Sequence, residues 1–229
     1  MVKVPYPTDL TDQQWQVIEK IVDGQARKRK HSLRSILDAI FYVVKTGCQW
    51  RMLPSDYAPR NTVYYYYRKW KFTGLIEELH EMLRSFIRKK AGRNESPSLG
   101  LIDSRSVKTS RNGGLERGID GGKKTKGRKQ HIITDTMGLV LTVVIHAANV
   151  HDSKAALGVI RTLKGRFPRL CKIIADGGYQ GELAGLVKNA FGWILEVVLR
   201  PKETKKFVVL PKRWIVERTF SWFEGYRRL

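Results

Sequence analysis

Three acidic side chains stand in apolar surroundings where a carboxylate is costly unless something pairs with it. Asp103 follows the run Leu99-Gly100-Leu101-Ile102 and precedes Ser104. Asp176 follows Ile173-Ile174-Ala175 and precedes Gly177-Gly178. Glu217 lies inside Trp214-Ile215-Val216-Glu217-Arg218-Thr219-Phe220-Ser221-Trp222. Hard divalent cations take oxygen ligands, and carboxylates supply them. Three such groups on a cationic chain suggest Mg²⁺-dependent (or Mn²⁺-dependent) chemistry on phosphodiesters.

The elements that must position these groups are legible in outline. Thr11-Asp12-Gln13-Gln14 has the spacing of a reciprocal helix cap, followed by Trp15, Ile18 and Ile21 on one face. A second helix begins near Ser32, with Leu33, Ile36, Leu37, Ile40, Phe41 and Val44 on one side, and Gly47 fits its stop. Helices near 61–72 and 75–90 complete a small helical region. From 97 onward the pattern shifts to short apolar runs. Strands are expected near 99–104, 130–135, 139–146, 171–175 and 194–199, and helices near 152–165, 181–191 and 212–227. The runs at 101–102 and 173–174 read as buried parallel strands, whose carboxyl ends gather ligands in open α/β sheets. Asp103 and Asp176 would meet there if their strands are neighbours. Glu217 would approach on the last helix, which also carries Arg213 four residues earlier. That order is the weaker one for an intrahelical ion pair, so Arg213 is also read as a phosphate ligand.

The net charge of +22 fits a nucleic acid or an anionic membrane as partner. Residues 1–92 carry a net +8 and residues 93–229 a net +14, so both parts are basic. No apolar run approaches the roughly 20 residues needed to span a bilayer. The N-terminal residues lack the features of a signal peptide, and the chain reads as cytoplasmic. Cys48 and Cys171 have no metal-type spacing and are expected to be reduced core residues rather than a disulfide.

Residues 105–129 hold nine Lys/Arg, two acids and six glycines. They read as a mobile, solvated loop and as a phosphate clamp beside Asp103, through Arg105, Lys108, Lys123, Lys124, Lys126, Arg128 and Lys129. The segment Asn61–Trp70 mixes four tyrosines with Arg68 and Lys69. It is read either as a DNA-recognition helix or as a core helix. His131, His146, His151 and Asp152 match no standard zinc spacing. Asp152 is expected to cap the helix that follows it, and Asp135 to serve a hairpin turn.

Taken in order, these segments resemble a known family, the bacterial insertion-sequence transposases of the DDE class. The resemblance rests on Leu10–Trp15, Gly47–Pro54, Ile102-Asp103-Ser104, Asn149-Val150-His151-Asp152-Ser153, Ala175-Asp176-Gly177-Gly178-Tyr179 and Arg213–Phe220. It implies an α/β ribonuclease-H-like core, a mixed sheet flanked by helices, with an N-terminal all-α DNA-binding domain over 1–92 and the catalytic domain over 93–229. It implies Asp103, Asp176 and Glu217 as the catalytic, metal-binding triad. Asp103 would bridge two Mg²⁺ ions, with Asp176 on one and Glu217 on the other. The implied partners are double-stranded DNA at element ends and target, and a second copy of the chain, forming a homodimer on DNA near the bacterial nucleoid. Where the family's signature has Tyr and Lys around the Arg–Glu pair, this chain has Leu210 and Glu224. Similar proteins continue beyond the Glu217 helix, so a C-terminally truncated core is expected. A ribonuclease-H-like nuclease without strand transfer, or a defective DNA-binding remnant, are the competing readings.

Overall fold

A computed structural model describes residues 5–22, 28–110, 114, 116–199 and 212–229. Leu210 and part of the first basic loop (23–27) lie outside them. The chain divides into two compact units. One comprises Met1–Ala91 with Trp222–Leu229, the other Gly92–Ser221.

Among its described residues the first unit contains four complete α-helices, α1 (Asp12–Val22), α2 (Leu33–Thr46), α3 (Arg60–Phe72) and α4 (Leu75–Lys90). The expected cap of α1 forms: Gln14 N–H donates to Thr11 Oγ1 (3.2 Å), and Thr11 N–H donates to Gln14 Oε1 (2.9 Å). Ser32 caps α2 by accepting from Ser35 N–H, and Gly47 ends it with φ +70°. Only glycine is at ease there: besides the left-handed backbone, a Cβ would stand 2.7 Å from Arg227 Cβ. Ile18, Leu33, Ile36, Leu37, Ala39, Ile40, Val63 and Trp70 form the core of this unit. The α3 tyrosines divide between the two expected roles. Tyr66 and Tyr67 pack against the core, while Tyr64 and Tyr65 are exposed together with Arg68 and Lys69.

The second unit is built on one six-stranded sheet with strands β1 (Leu99–Lys108), β2 (Gly118–Asp120), β3 (Thr125–Thr134), β4 (Val140–Ala147), β5 (Lys172–Asp176) and β6 (Ile194–Val198). Helices α5 (Asp152–Arg161), α6 (Leu183–Phe191) and α7 (Arg213–Glu224) flank it, α7 ending in residues that cluster with the first unit. β3 pairs antiparallel with β1, β2 and β4, whereas β1–β5 and β5–β6 are parallel. This mixed sheet with flanking helices, after an all-helical N-terminal region, is the architecture expected of a ribonuclease-H-like core. Its apolar centre joins Ile102, Ile133, Leu141 and Ile173 to Val159, Ile160, Leu163 and Val187.

The basic stretch 105–129, of which residues 111–113 and 115 lie outside the described residues, departs from the expected loop on both flanks. β1 runs on to Lys108, β2 is an added strand, and β3 begins at Thr125. The β1–β3 ladder continues through Lys108↔Gly127. Gly127 is required by that approach, since a Cβ there would lie 1.9 Å from Val107 O. The cysteines are free, as expected, but neither is a core residue: Cys48 is half-buried and Cys171 exposed. Asp135 serves its hairpin as expected, accepting from Met137 N–H (2.8 Å) and Leu139 N–H (2.9 Å). Among the described residues no helix is long and apolar enough to cross a membrane.

Candidate functional site

β1 and β5 run parallel with Leu101 beside Ile174. Continuing that register sets Asp103 level with Asp176, the last residue of β5. Asp103 therefore does not end its strand; it sits where its parallel neighbour ends. Strand alternation sends successive side chains to opposite faces. Asp103 faces α7, where Arg213 waits, and Ser104 faces α5, where it donates to Asp152 Oδ1 (2.9 Å).

The predicted triad is brought together around one cation. The Arg213 guanidinium lies 3.0 Å from Asp103 Oδ2, 3.0 Å from Asp176 Oδ2 and 3.7 Å from Glu217 Oε1. The Asp103 contact is an aligned hydrogen bond. The Asp176 contact is an ion pair without hydrogen-bond alignment, which leaves Arg213 Nη1 unsatisfied. Asp176 is also held by Gly178 N–H (2.9 Å), so its turn role and its place in the site coexist. Glu217 is the loosest of the three, its side chain 60% exposed.

α7 carries Arg213 and Glu217 one turn apart and buries Ile215, Val216, Thr219 and Phe220. Thr219 Oγ1 donates to Gly138 O (2.9 Å) and Arg218 to Met137 O (2.9 Å), which fix the helix beside the β3–β4 hairpin. Arg105 reinforces this, donating to Gln130 Oε1 (2.7 Å) and to Phe220 O (3.2 Å).

Electrostatically the site is short of positive charge. Burial pushes the Asp103 carboxyl up to about 6, against the downward pull of Arg213 and of the Ser104 N–H; Asp176 adds to the rise. Among the described residues no three His, Cys, Asp or Glu side chains form a ready metal cage. The donor set nevertheless suits a divalent cation: all three groups are carboxylates, and they surround one positive charge.

The expected phosphate contacts sort into three kinds. Lys108, Lys123, Lys124 and Lys126 are exposed on or near β1–β3, and Arg68 and Lys69 are exposed on α3. Lys123 Nζ reaches Ser104 O (3.3 Å), one residue from Asp103. Arg105 and Arg128 are half-buried and donate to neighbouring groups, Arg128 to Glu116 O (3.0 Å). Arg213 is held by the carboxylates, and Lys129 is buried, 5% exposed.

Lys129 belongs to a second cluster that the sequence reading did not assemble. Its ammonium lies 3.0 Å from Asp152 Oδ1 and 3.5 Å from Asp120 Oδ2, and donates to Val150 O (3.0 Å). A lysine so enclosed is not a surface phosphate ligand, which corrects its assignment to the clamp. His131, fully buried, sets Nε2 3.3 Å from the same Asp152 oxygen and Nδ1 2.8 Å from His146 Nε2. Asp152 is the first residue of α5 rather than its cap; His151 accepts from Ser153 N–H instead. Burial alone would raise the Asp152 carboxyl, but contacts from His131, Lys129 and Ser104 outweigh it and hold the group below the usual carboxylate range. His131 is itself pushed down, chiefly by burial. A signal for this cluster was present: Lys129 and His131 share strand parity with Ile133, a core residue, so all three point inward.

The transposase DDE domain family matches residues 94–229, and a second family, putative transposase of IS4/5 family, matches residues 10–80. A putative transposase for insertion sequence element IS402 from Burkholderia cepacia is 35% identical over 113 residues, 45% of this chain and 52% of the relative. An uncharacterized 16.2 kDa protein of the same element and organism is 29% identical over 108 residues, covering 43% and 72%. The chain spans about half the length of the first of these relatives. Among solved structures, a synaptic complex of piggyBac transposase with hairpin DNA aligns at a TM-score of 0.37 and 10% identity, over 84% of this chain and 50% of the other. With three ordered acidic positions converging in a mixed sheet and a family match over more than half its length, the chain belongs to the DDE transposases.

Proposed function

We propose that this chain cuts DNA at the ends of its own insertion element and joins them to a target. The convergence of Asp103, Asp176 and Glu217 on a single cationic group carries the reading. These three would hold two Mg²⁺ ions. Such ions, when bound, stabilise charge on the attacking and departing oxygens of an in-line displacement. Arg213 is the resident countercharge of the carboxylates and would serve as a phosphate ligand. Lys123, beside the Asp103 strand, neutralises the adjacent backbone phosphate.

In cleavage, water attacks the phosphorus, the O3′–P bond breaks, and a 3′-hydroxyl and a 5′-phosphate result. In joining, that 3′-hydroxyl attacks a target phosphodiester and displaces the target's own O3′. Neither step needs a covalent nucleophile from the protein. Residues 93–229 perform this chemistry and residues 1–92 bind DNA, with α3 presenting Arg68 and Lys69. The partner is double-stranded DNA, engaged by a homodimer in the bacterial cytoplasm.

Mg²⁺-dependent nicking of a DNA substrate carrying the element's ends, lost in Asp103→Asn, tests the enzyme reading. Capture of the cut ends by a second duplex separates a transposase from a nuclease. A chain that binds DNA but neither nicks nor joins it is the defective binder.

A further inference from the structure

The cluster behind the carboxylate site binds the segment that presents Asp103 and lies beside the one that presents Asp176. Asp152 Oδ1 takes the Ser104 hydroxyl (2.9 Å), the residue next to Asp103. Asp152 Oδ2 faces the other segment, lying 3.5 Å from where a Cβ on Gly178 would stand. Gly178 donates its N–H to Asp176 Oδ1 (2.9 Å), and the same Cβ position is 3.0 Å from that oxygen. Asp152 thus binds the strand bearing Asp103 through Ser104 and lies close beside the turn bearing Asp176, where Gly178, without a side chain, leaves room for it.

Asp152 is itself fixed from behind. Lys129 and His131, on β3, close on Oδ1 at 3.0 and 3.3 Å. Lys129 is shared with Asp120 (3.5 Å), which accepts from Ser106 Oγ (2.5 Å) on β1 and from the N–H groups of Gly122 and Lys123. His131 is backed by His146 of β4. Tyr179, 1% exposed, stands edge-on to the His131 ring at 6.1 Å. The arrangement spans β1, the β2–β3 turn, β3, β4, α5 and the turn after β5. It contains far more bonding than one helix start requires.

We propose that Asp152 is a positioning residue that sets the spacing of Asp103 and Asp176, through Ser104 on one side and the Gly177-Gly178 turn on the other. This rests on the proposal that those two aspartates bind a divalent cation. Groups behind a metal's ligands orient them, and their loss typically weakens affinity about 10- to 100-fold. Nothing in this role requires Asp152 to touch metal or DNA.

The test measures Mn²⁺ affinity by calorimetry on the 229-residue chain, beside its melting temperature and its nicking rate with Mn²⁺. Ser104→Ala removes one tether and leaves the Lys129–Asp152 pair; Ser104→Thr restores a hydroxyl. Asp152→Asn removes the charge that organises the cluster. Ser104→Ala, assayed well below its melting temperature, is expected to weaken Mn²⁺ binding about tenfold, and Ser104→Thr to recover most of it. Asp152→Asn is expected to weaken it further. If Asp152→Asn does not fold, the Ser104 pair decides alone. Wild-type Mn²⁺ binding with unchanged affinity in folded Ser104→Ala overturns the positioning role and leaves the metal site standing. An affinity loss that Ser104→Thr fails to recover also overturns it. A wild-type chain that binds no Mn²⁺ overturns the metal-site reading and this proposal with it.

Discussion

Asp103 and Asp152 lie on opposite faces of the sheet, linked through Ser104, and their environments have opposite effects. Asp103 has one cationic partner, shared with two other carboxylates, and burial pushes it up to about 6. Asp152 receives Ser104, Lys129 and His131, and is held below the usual carboxylate range. The difference is one of supply. The first cluster is three carboxylates against one guanidinium, and it gains from another cation. The second has two carboxylates on one ammonium, but each is satisfied by hydrogen-bond donors within the protein. Adjacent acidic groups can therefore have separate roles, one set exposed to a reagent and the other holding it in place.

The sharpest way to break this contrast is to neutralise the first cluster. Asp103→Asn or Glu217→Gln should lower metal-dependent cleavage about a thousandfold, the rate equivalent of several kcal/mol of lost charge stabilisation, with DNA binding retained in a filter or mobility assay. An Asp103→Asn protein cutting at near wild-type rate would remove Asp103 from the site.

Stability should respond with opposite signs. Asp152→Asn leaves the buried Lys129 with the Val150 carbonyl and the more distant carboxylate of Asp120, at 3.5 Å, and should cost about 3 kcal/mol in denaturant unfolding. Asp103→Asn, measured at pH 7 without divalent ions, should instead stabilise the chain by on the order of 2 kcal/mol, because it removes a buried charge while Arg213 keeps Asp176 and Glu217. Destabilisation by both would erase the distinction.

The pH dependence follows from the same contrast. The folded-state value of Asp103 lies above its ordinary one of 3.8, so the folded chain binds that proton more tightly. Without divalent ions, stability attributable to Asp103 should fall as pH rises from about 4 to about 6, and Asp103→Asn should flatten that interval. Asp152 is depressed, so its contribution is present above about 4 and is lost only as pH falls below that. Melting curves between pH 3 and 7 separate the two. Added Mg²⁺ should raise the melting temperature more at pH 7 than at pH 4.5.

The smallest effect distinguishes the two kinds of lysine. Lys126 is exposed and Lys129 buried, three residues apart on one strand. Lys126→Ala should reduce the slope of log affinity for DNA against log salt by about 0.9, with the melting temperature unchanged. A fall in melting temperature as large as that of Asp152→Asn would show Lys126 to be structural as well.

Much of this was legible locally. The Thr11–Gln14 cap, the Gly47 stop, the Asp135 turn and the apolar runs at 101–102 and 173–174 depend on neighbours a few residues away, and each formed as expected. Residues 105–108 and 125–129 did not: the glycines and cations around them favour a loop, but pairing of β3 with β1 along the ladder to Gly127 imposed strands. Local preference lost to cross-strand hydrogen bonding, which no window of sequence contains.

The sequence by itself determined the charge of the chain, the helices and strands outside residues 105–129, and three carboxylates in contexts where they needed partners. Strand register decided that Asp103 stands level with Asp176. The packing of α7 decided that Arg213 lies among the acids rather than free, and the fold of β1 against β3 decided that Lys129 is internal while Lys126 is exposed. The physical reason is range. Capping and periodicity act within a few residues, whereas the partners of a buried charge here come from segments up to 110 residues apart and are fixed only when those segments pack.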